Sequence, residues 1–350
     1  MTDPRLNHLF ELLSETGAQA IALNPGPTLT YLTGLHFHLM ERPTVLLIVP
    51  GKVPVLVLPE LEVGKLVSSR IELQASPYAD DPATWPDAFA RAIASLSLTS
   101  GRIAVEPNQI RFLEMDFLQK AAPNVEIVSG GTALAMLRAQ KDAGEIEAMR
   151  RAVQVAQAAL SHTLSTFKIG MTEKEIAAEL MIQLYRAGSD AELPFLPIVA
   201  SGPNSANPHA VPGDRRVQSG DFLVIDYGAS SDGYFSDLTR TFVVGESSLE
   251  QRKIYEAVKK ANEAGRMAGS PGLEAGEVDA AARAVITSAG YGPQFIHRTG
   301  HGLGMESHEE PYIFGGNSLK LQTGMVYTVE PGIYVQGFGG VRIEDNMVIT

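Results

Sequence analysis

Apolar positions recur along this chain with two periods, and each change of period marks an element. Over residues 4–15, Leu6, Leu9, Phe10 and Leu13 share one face of a 3.6-residue repeat, which predicts a helix. Residues 20–23 are a short apolar run closed by Asn24-Pro25-Gly26, which predicts a buried strand and a turn. The aliphatic runs 44–49 and 55–58 flank Pro50-Gly51 and predict a hairpin. Further strands are expected at 103–105 and 125–128, with helices near 84–97 and 110–121. This alternation describes an α/β domain over residues 1–135. A long helical pattern then runs from about 143 to 167, behind the polar start Lys141-Asp142-Ala143-Gly144-Glu145, so a second domain is expected over 136–350.

The second part echoes itself. Gly170-Met171, then Glu175-Ile176 and Ala178, leads to Ala187-Gly188; Gly272-Leu273, then Glu277-Val278 and Ala280, leads to Ala289-Gly290, at a constant offset of 102 residues. Both stretches predict helices that start after one glycine and stop at another, and Thr172 with Glu175 forms a capping-box pair. Two readings stay open: a chance likeness of amphipathic helices, or a duplicated α+β unit with a site between its halves.

Composition narrows the chemistry. With 350 residues, 28 Lys plus Arg and 40 Asp plus Glu, the net charge is −12, against the basic footprint that nucleic acids require. No cysteine is present, which excludes disulfides, Cys-ligated zinc and thiol nucleophiles and fits a cytoplasmic enzyme. The start Met-Thr-Asp-Pro-Arg has no apolar segment behind it, so no signal peptide is expected. The most apolar stretch, 44–58, is broken by Pro50-Gly51-Lys52 and Pro54 and is too short to span a bilayer.

The strongest chemical signal is a set of acids inside apolar strands. Residues 222–227 are an apolar run with one charge, Asp226; a turn-rich stretch, 228–233, follows, and 234–244 return as a strand carrying Asp237. A hairpin centred between Ser231 and Asp232 sets Asp226 directly opposite Asp237, with Cβ atoms about 4.5–5.5 Å apart. Downstream, 325–330 and 341–350 flank turn-rich 337–340, and a hairpin centred on Gly337 sets Glu330 opposite Glu344. Facing carboxylates repel unless a cation sits between them, so two such pairs predict a shared metal centre. Of the eight histidines, five lie in this domain: His162, His209, His297, His301 and His308. His301 has Gly300 and Gly302 on either side, which allow close backbone approach. It is the candidate nitrogen ligand, whereas His162 sits inside the long helix and reads as structural. Four carboxylates balance two divalent cations, and oxygen-rich ligation with one nitrogen suits Mn²⁺, Co²⁺ or Zn²⁺.

These residues resemble the metallopeptidase family with the pita-bread fold, which includes methionine aminopeptidase, aminopeptidase P and prolidase. The resemblance implies an α+β pita-bread catalytic domain behind a smaller α/β domain of the creatinase/prolidase type, which serves dimerisation and supports the substrate pocket. It implies five metal ligands: Asp226 in Val-Ile-Asp-Tyr-Gly, Asp237 in Ser-Asp-Leu-Thr-Arg, His301 in Gly-His-Gly-Leu-Gly, Glu330 in Glu-Pro-Gly-Ile-Tyr and Glu344 in Val-Arg-Ile-Glu-Asp. Their spacings of 11, 64, 29 and 14 resemble the prolidase and aminopeptidase P branch. By the same resemblance Asp226 holds one cation, His301 and Glu330 the other, and Asp237 and Glu344 bridge both. His209 and His308 match histidines that stabilise the tetrahedral intermediate. His297 matches one lining the proline pocket, and Arg342 and Tyr334 brace a ligand or the substrate.

The expected enzyme is a homodimeric Xaa-Pro peptidase with two divalent cations per chain, Mn²⁺ foremost. It hydrolyses the bond before a proline at the second position by a metal-bridging hydroxide. Several prolidases that cut only dipeptides carry an arginine shortly after the His-Glu-x-Pro segment. Here Tyr312 follows Pro311, and no Arg or Lys appears before Lys320. That departure favours aminopeptidase P behaviour on longer peptides, with a strict Xaa-Pro dipeptidase as the alternative. The N-terminal domain and the short gap between the two glutamates speak against a methionine aminopeptidase. A metal-free creatinase-type enzyme leaves the five ligands unexplained, and a non-catalytic pita-bread binding module should lack a ligand.

Overall fold

Short, wholly apolar runs become central strands because both their faces are covered, and the first sheet is built on three of them. In this computed structural model, residues 3–14 and 16–350 are described; Glu15, the last residue of the first expected helix, lies outside them, as do Met1 and Thr2 of the chain start. The chain divides into two units, one up to Arg138 and one from Ala139 to Thr350.

In the first unit α1 (Pro4–Ser14) leads to β1 (Ala20–Leu23), α2 (Pro27–Thr33), β2 (Val45–Ile48), β3 (Val55–Pro59) and β4 (Gln74–Tyr78). Then come α3 (Trp85–Ser95), β5 (Gly101–Val105), α4 (Phe112–Ala121), β6 (Val125–Ser129) and α5 (Gly131–Ala139). The sheet order is β4-β3-β2-β1-β5-β6, antiparallel through the β2–β3 hairpin and β1–β2, parallel elsewhere. Three elements of this unit escaped the sequence pattern, among them α5, which runs across the expected domain boundary. Strand β4 reads Gln-Ala-Ser-Pro-Tyr, a polar edge strand without an apolar alternation. Helix α2 is only seven residues long, too short to show a period, and is delimited instead by Pro27 at its start and by Gly34 at φ 74° at its end.

The second unit begins with α6 (Ala143–Thr166) and α7 (Glu173–Arg186), each opened by a complete capping box, Asp142 with Glu145 and Thr172 with Glu175. There follow β7 (Ile198–Ser201), β8 (Phe222–Tyr227), β9 (Ser230–Ser231), β10 (Tyr234–Phe235), β11 (Leu238–Val243), α8 (Leu249–Ala268) and α9 (Ala275–Ser288). The chain closes with β12 (Gly300–Gly302), β13 (Glu309–Ile313), β14 (Val326–Val329), β15 (Gly332–Val335), β16 (Gly339–Arg342) and β17 (Asp345–Val348). The echoed helices are α7 and α9, which match end to end at the 102-residue offset. Each belongs to a packed pair, α6 with α7 and α8 with α9, and each pair covers strands around its own apolar cluster.

Both acid-bearing hairpins form, and the first differs from expectation. Asp232 and Gly233 both have positive φ, 53° and 76°, and make a two-residue turn. Ser231 therefore pairs with Tyr234, and farther down the hairpin Asp226 pairs with Thr239, not with Asp237. The Asp-Gly dipeptide, which suits a turn with two left-handed residues, sets the register rather than the middle of the polar stretch. The shift is two residues, so Asp226 and Asp237 keep a common face as diagonal neighbours; a shift of one would have separated them. In the second hairpin one register runs through two ladders, Val329 with Asp345 in β14–β17 and Gly332 with Arg342 in β15–β16. Glu330 and Glu344 lie in the unpaired step between these ladders.

Candidate metal centre

A carboxylate in the middle of a paired strand can only stand up from the sheet. Asp226 does so from the middle of β8, and the other three acids reach it from places where pairing stops. Asp237 occupies the break between β10 and β11, and Glu330 and Glu344 the break between two ladders. At each break a side-chain amide replaces the missing backbone partners. Asn346 accepts from the Asp237 N–H at 3.1 Å and returns its own N–H to the Asp237 carbonyl at 2.5 Å. Asn262, buried on α8, donates to the carbonyls of Val329 at 2.9 Å and Ile343 at 3.2 Å, the residues just before Glu330 and Glu344. His301 lies in β12, where a side chain at Gly300 would collide with the Thr328 carbonyl and one at Gly302 with the Glu310 carbonyl. Those glycines let three strands close around the imidazole.

The five expected ligands thereby meet. Oxygens of Asp226, Asp237 and Glu344 lie within 4.8 Å of one another, and so do donor atoms of His301, Glu330 and Glu344. A third such group joins Asp237 and His301 to His308, whose ring centroid is 3.9 Å from that of His301. His308 is thus closer to the ligand set than a substrate-contacting role alone required. Its neighbour Glu309 is held by Lys141 in a buried ion pair of 2.5 Å.

Charge is badly unbalanced here. Four carboxyl groups face one guanidinium, Arg342, which bonds Asp226 at 2.5 Å and reaches the Thr239 hydroxyl at 3.1 Å; that hydroxyl donates to Glu344 at 2.7 Å. Burial raises the Asp237, Glu330 and Glu344 carboxyls, Glu330 to about 8, with neighbouring carboxylates adding to burial for Asp237 and Glu344. Burial, with His308 beside it, lowers His301 to about 3, so the ring is neutral. Its Nδ1 faces the Gly302 carbonyl at 3.1 Å, and since a carbonyl can only accept, Nδ1 carries the proton. The bare Nε2 then points at oxygens of Asp237 and Glu330, 3.6 and 3.5 Å away. Acceptor thus faces acceptor, and the second oxygen of Asp226, Oδ1, is buried with no hydrogen-bond partner. Four carboxyl groups and a bare imidazole nitrogen gathered in one buried space, with too few donors for their lone pairs, fit divalent cations, and this ligand set suits hard or borderline ions.

The centre lines a cavity of about 550 Å³, within the range of about 300–1,000 Å³ usual for small-ligand sites. His209, His297, His308 and Arg342 share its wall, and Tyr334 stands behind, bonding His297 Nε2 at 2.9 Å and Arg342 at 3.0 Å. Burial lowers His297 to about 4. His162 is exposed on α6, apart from this group. Sequence reasoning missed Asn262, Asn346, Thr239 and Arg298. A polar residue on the buried face of α8, among Ile254, Val258 and Ala261, was the one available signal for Asn262; the others depend on contacts between distant segments.

Known proteins share this sequence pattern and fold. Residues 147–350 match metallopeptidase family M24, and residues 5–140 match the creatinase/prolidase N-terminal domain. The Xaa-Pro dipeptidase of Lactobacillus helveticus is 34% identical over 99% of this chain and 94% of its own length. The crystal structure of a dipeptidase from Pyrococcus horikoshii OT3 superposes with a TM-score of 0.92 at 39% identity, covering 98% of this chain and 94% of that one. An X-Pro aminopeptidase from Thermotoga maritima MSB8 gives 0.83 at 29% identity, covering 97% and 95%.

Asp237→Ala and Glu344→Ala are each expected to lose bound metal and activity, whereas Asn262→Leu should keep the ligands but bind Mn²⁺ at least about 10-fold more weakly. Calorimetric Mn²⁺ titration checks this, and unchanged affinity in Asn262→Leu would remove the bracing role. A pH effect follows as well. Unfolded Glu330 ionises near 4.5 but near 8 in the metal-free fold, so the fold holds the extra proton and loses stability as pH rises through that interval. His297 and His301 act in the opposite sense, but only below their ordinary 6.5. Metal-free protein should therefore show a falling Tm between about pH 6.5 and 8, and saturating Mn²⁺ should abolish the fall. A metal-free Tm that rises over that interval contradicts the assignment.

Proposed function

We propose, from the premise that the chain belongs to metallopeptidase family M24 and is a metallo-exopeptidase of the pita-bread Xaa-Pro peptidase group, that its substrates are Xaa-Pro dipeptides. The observation that carries the reading is the convergence of Asp226, Asp237, His301, Glu330 and Glu344 on one cavity wall, with Oδ1 of Asp226 buried and without a hydrogen-bond partner. The family works with divalent metal ions; two per chain, Mn²⁺ in the first instance with Co²⁺ or Zn²⁺ as substitutes, fit four carboxylates. When bound, such a pair polarises the scissile carbonyl and lowers the pKa of an attacking water.

This chain's own residues supply the rest. An Xaa-Pro bond is a tertiary amide without an N–H, so recognition must come from shape around the pyrrolidine ring, which His297 and Tyr334 are suited to provide. His308 is pushed below the ordinary histidine range by burial, with Arg298 acting in the same direction. It stays neutral and can donate to the oxygen that gains charge as the carbonyl becomes tetrahedral. His209 shares that wall and the same role. Arg342 is committed to Asp226, Thr239 and Tyr334, so its part is to orient ligands.

The gap after Pro311 favoured longer peptides, and one similar structure is of an X-Pro aminopeptidase. The relatives of higher identity named above are dipeptidases, and they favour the dipeptide reading. The homodimer and the cytoplasmic location stay part of the proposal; a light-scattering mass of 37.5 kDa would exclude the dimer.

Mn²⁺-loaded protein is expected to cleave an Xaa-Pro dipeptide with a kcat/KM about 100-fold above that for the matched Xaa-Pro-Yaa tripeptide, about 2.7 kcal/mol of transition-state binding. Equal rates would return the reading to aminopeptidase P. His308→Ala and His209→Ala should lower kcat by about 10²-fold with metal retained. Loss of metal in either would make that histidine a ligand instead.

A further inference from the structure

A peptidase restricted to dipeptides has to recognise a free carboxylate, because only that group separates its substrate from a longer peptide. Desolvating a carboxylate without a partner is costly, so the cavity needs a cation that nothing else neutralises. Of the Lys and Arg side chains among the described residues, two line the cavity, Arg298 and Arg342. Arg342 is spent on Asp226, Thr239, Tyr334 and the Pro208 carbonyl. Arg298 has no carboxylate within ion-pair distance among the described residues, and its guanidinium lies 4.5 Å over the ring of Tyr312.

Tyr312 is the residue after Pro311, the place where the sequence lacked a cation. An aromatic face holds a guanidinium in a plane while leaving its N–H fork free. The segment carrying Arg298 is fixed as well. Buried Asp279 accepts from the Thr299 N–H at 3.1 Å and its hydroxyl at 2.8 Å, and Arg283 ties the carbonyls of Phe295 and His297 to the same carboxylate. His297 Nδ1 meets the Arg298 carbonyl at 2.7 Å. Arg298 lines the same cavity as Glu330 and His308, which sets it beside the candidate metal centre. The cavity thus has the candidate metal ligands at one part of its wall and, at another, a guanidinium with no ion-pair partner among the described residues, which a substrate carboxylate can reach.

We infer that Arg298, shelved on Tyr312, is the residue that binds the C-terminal carboxylate of the substrate and so limits peptide length. This rests on the dipeptidase reading and assigns its specificity to one side chain. A bidentate guanidinium–carboxylate pair is planar and directional, so a lysine at the same place would serve less well.

The test compares Mn²⁺-loaded wild type, Arg298→Ala and Arg298→Lys on an Xaa-Pro dipeptide and on the same dipeptide as its C-terminal amide. The scissile bond is identical in both, and only the charge differs. Wild type is expected to prefer the free acid by about 50-fold or more in kcat/KM. In Arg298→Ala that preference should fall below about 5-fold, and Arg298→Lys should lie between. The amide rate and Mn²⁺ stoichiometry report whether the variant is folded and loaded. A preference that survives in Arg298→Ala would overturn the assignment of Arg298 and leave the dipeptidase reading intact. Equal loss on acid and amide would also overturn it, since the amide does not need the clamp. No preference in wild type would remove the dipeptidase reading itself.

Discussion

Four carboxyl groups share one buried space with a single guanidinium that bonds to them, Arg342, and much of the second unit can be understood as a response to that crowding. In water, acids so close would separate or take up protons. In the metal-free fold three of them are held well above the ordinary carboxyl range. Proton uptake relieves part of this crowding, and cations between the oxygens would relieve it more fully. Arg342 meets part of the imbalance by bonding Asp226 directly and Glu344 through the Thr239 hydroxyl. It cannot meet all of it, because one guanidinium bonds to only part of a set of four acids.

The backbone pays for this convergence by giving up regular pairing. Asp237, Glu330 and Glu344 all sit where a ladder stops, and a stopped ladder leaves polar backbone groups without partners inside the protein. Asn346 and Asn262 supply the missing donors and acceptor, and Asn262 ties both strands of the second hairpin at one step. Bracing of this kind lies outside the ligand set but fixes where the ligands point. The glycines around His301 serve the same end by removing side chains where strands must touch.

The two arginines in the cavity divide the electrostatic work. Arg342 is fully engaged by protein groups and is part of the scaffold. Arg298 rests on an aromatic face, on a segment locked by Asp279 and Arg283, and keeps its hydrogen-bonding fork free. A charge that the fold has already stabilised for its own sake is unavailable to a ligand, whereas one left without a counterion can take part in selection.

Much of this was legible in the sequence. Periodicity marked β1, the β2–β3 hairpin and α6, and the repeated Gly-to-Gly helices returned as α7 and α9. Isolated acids in apolar strands, with a glycine-flanked histidine, identified the side chains that the fold brings together, because a charge in an otherwise buried run must have a reason to be there. The pairing partner of Asp226 was misjudged, because the φ demands of Asp232-Gly233 outrank the centre of a polar stretch. Only the tertiary structure decided which distant residues complete the site. Asn262 lies 68 residues before Glu330, and Arg298 meets Tyr312 across a strand pair, so neither contact has a local pattern to announce it. What the sequence by itself determined was the chemistry of the ligands, because residue type and local burial pattern are written along the chain. What the fold alone decided was their bracing and the seating of Arg298 on Tyr312, because those depend on segments that meet only after the chain has closed on itself.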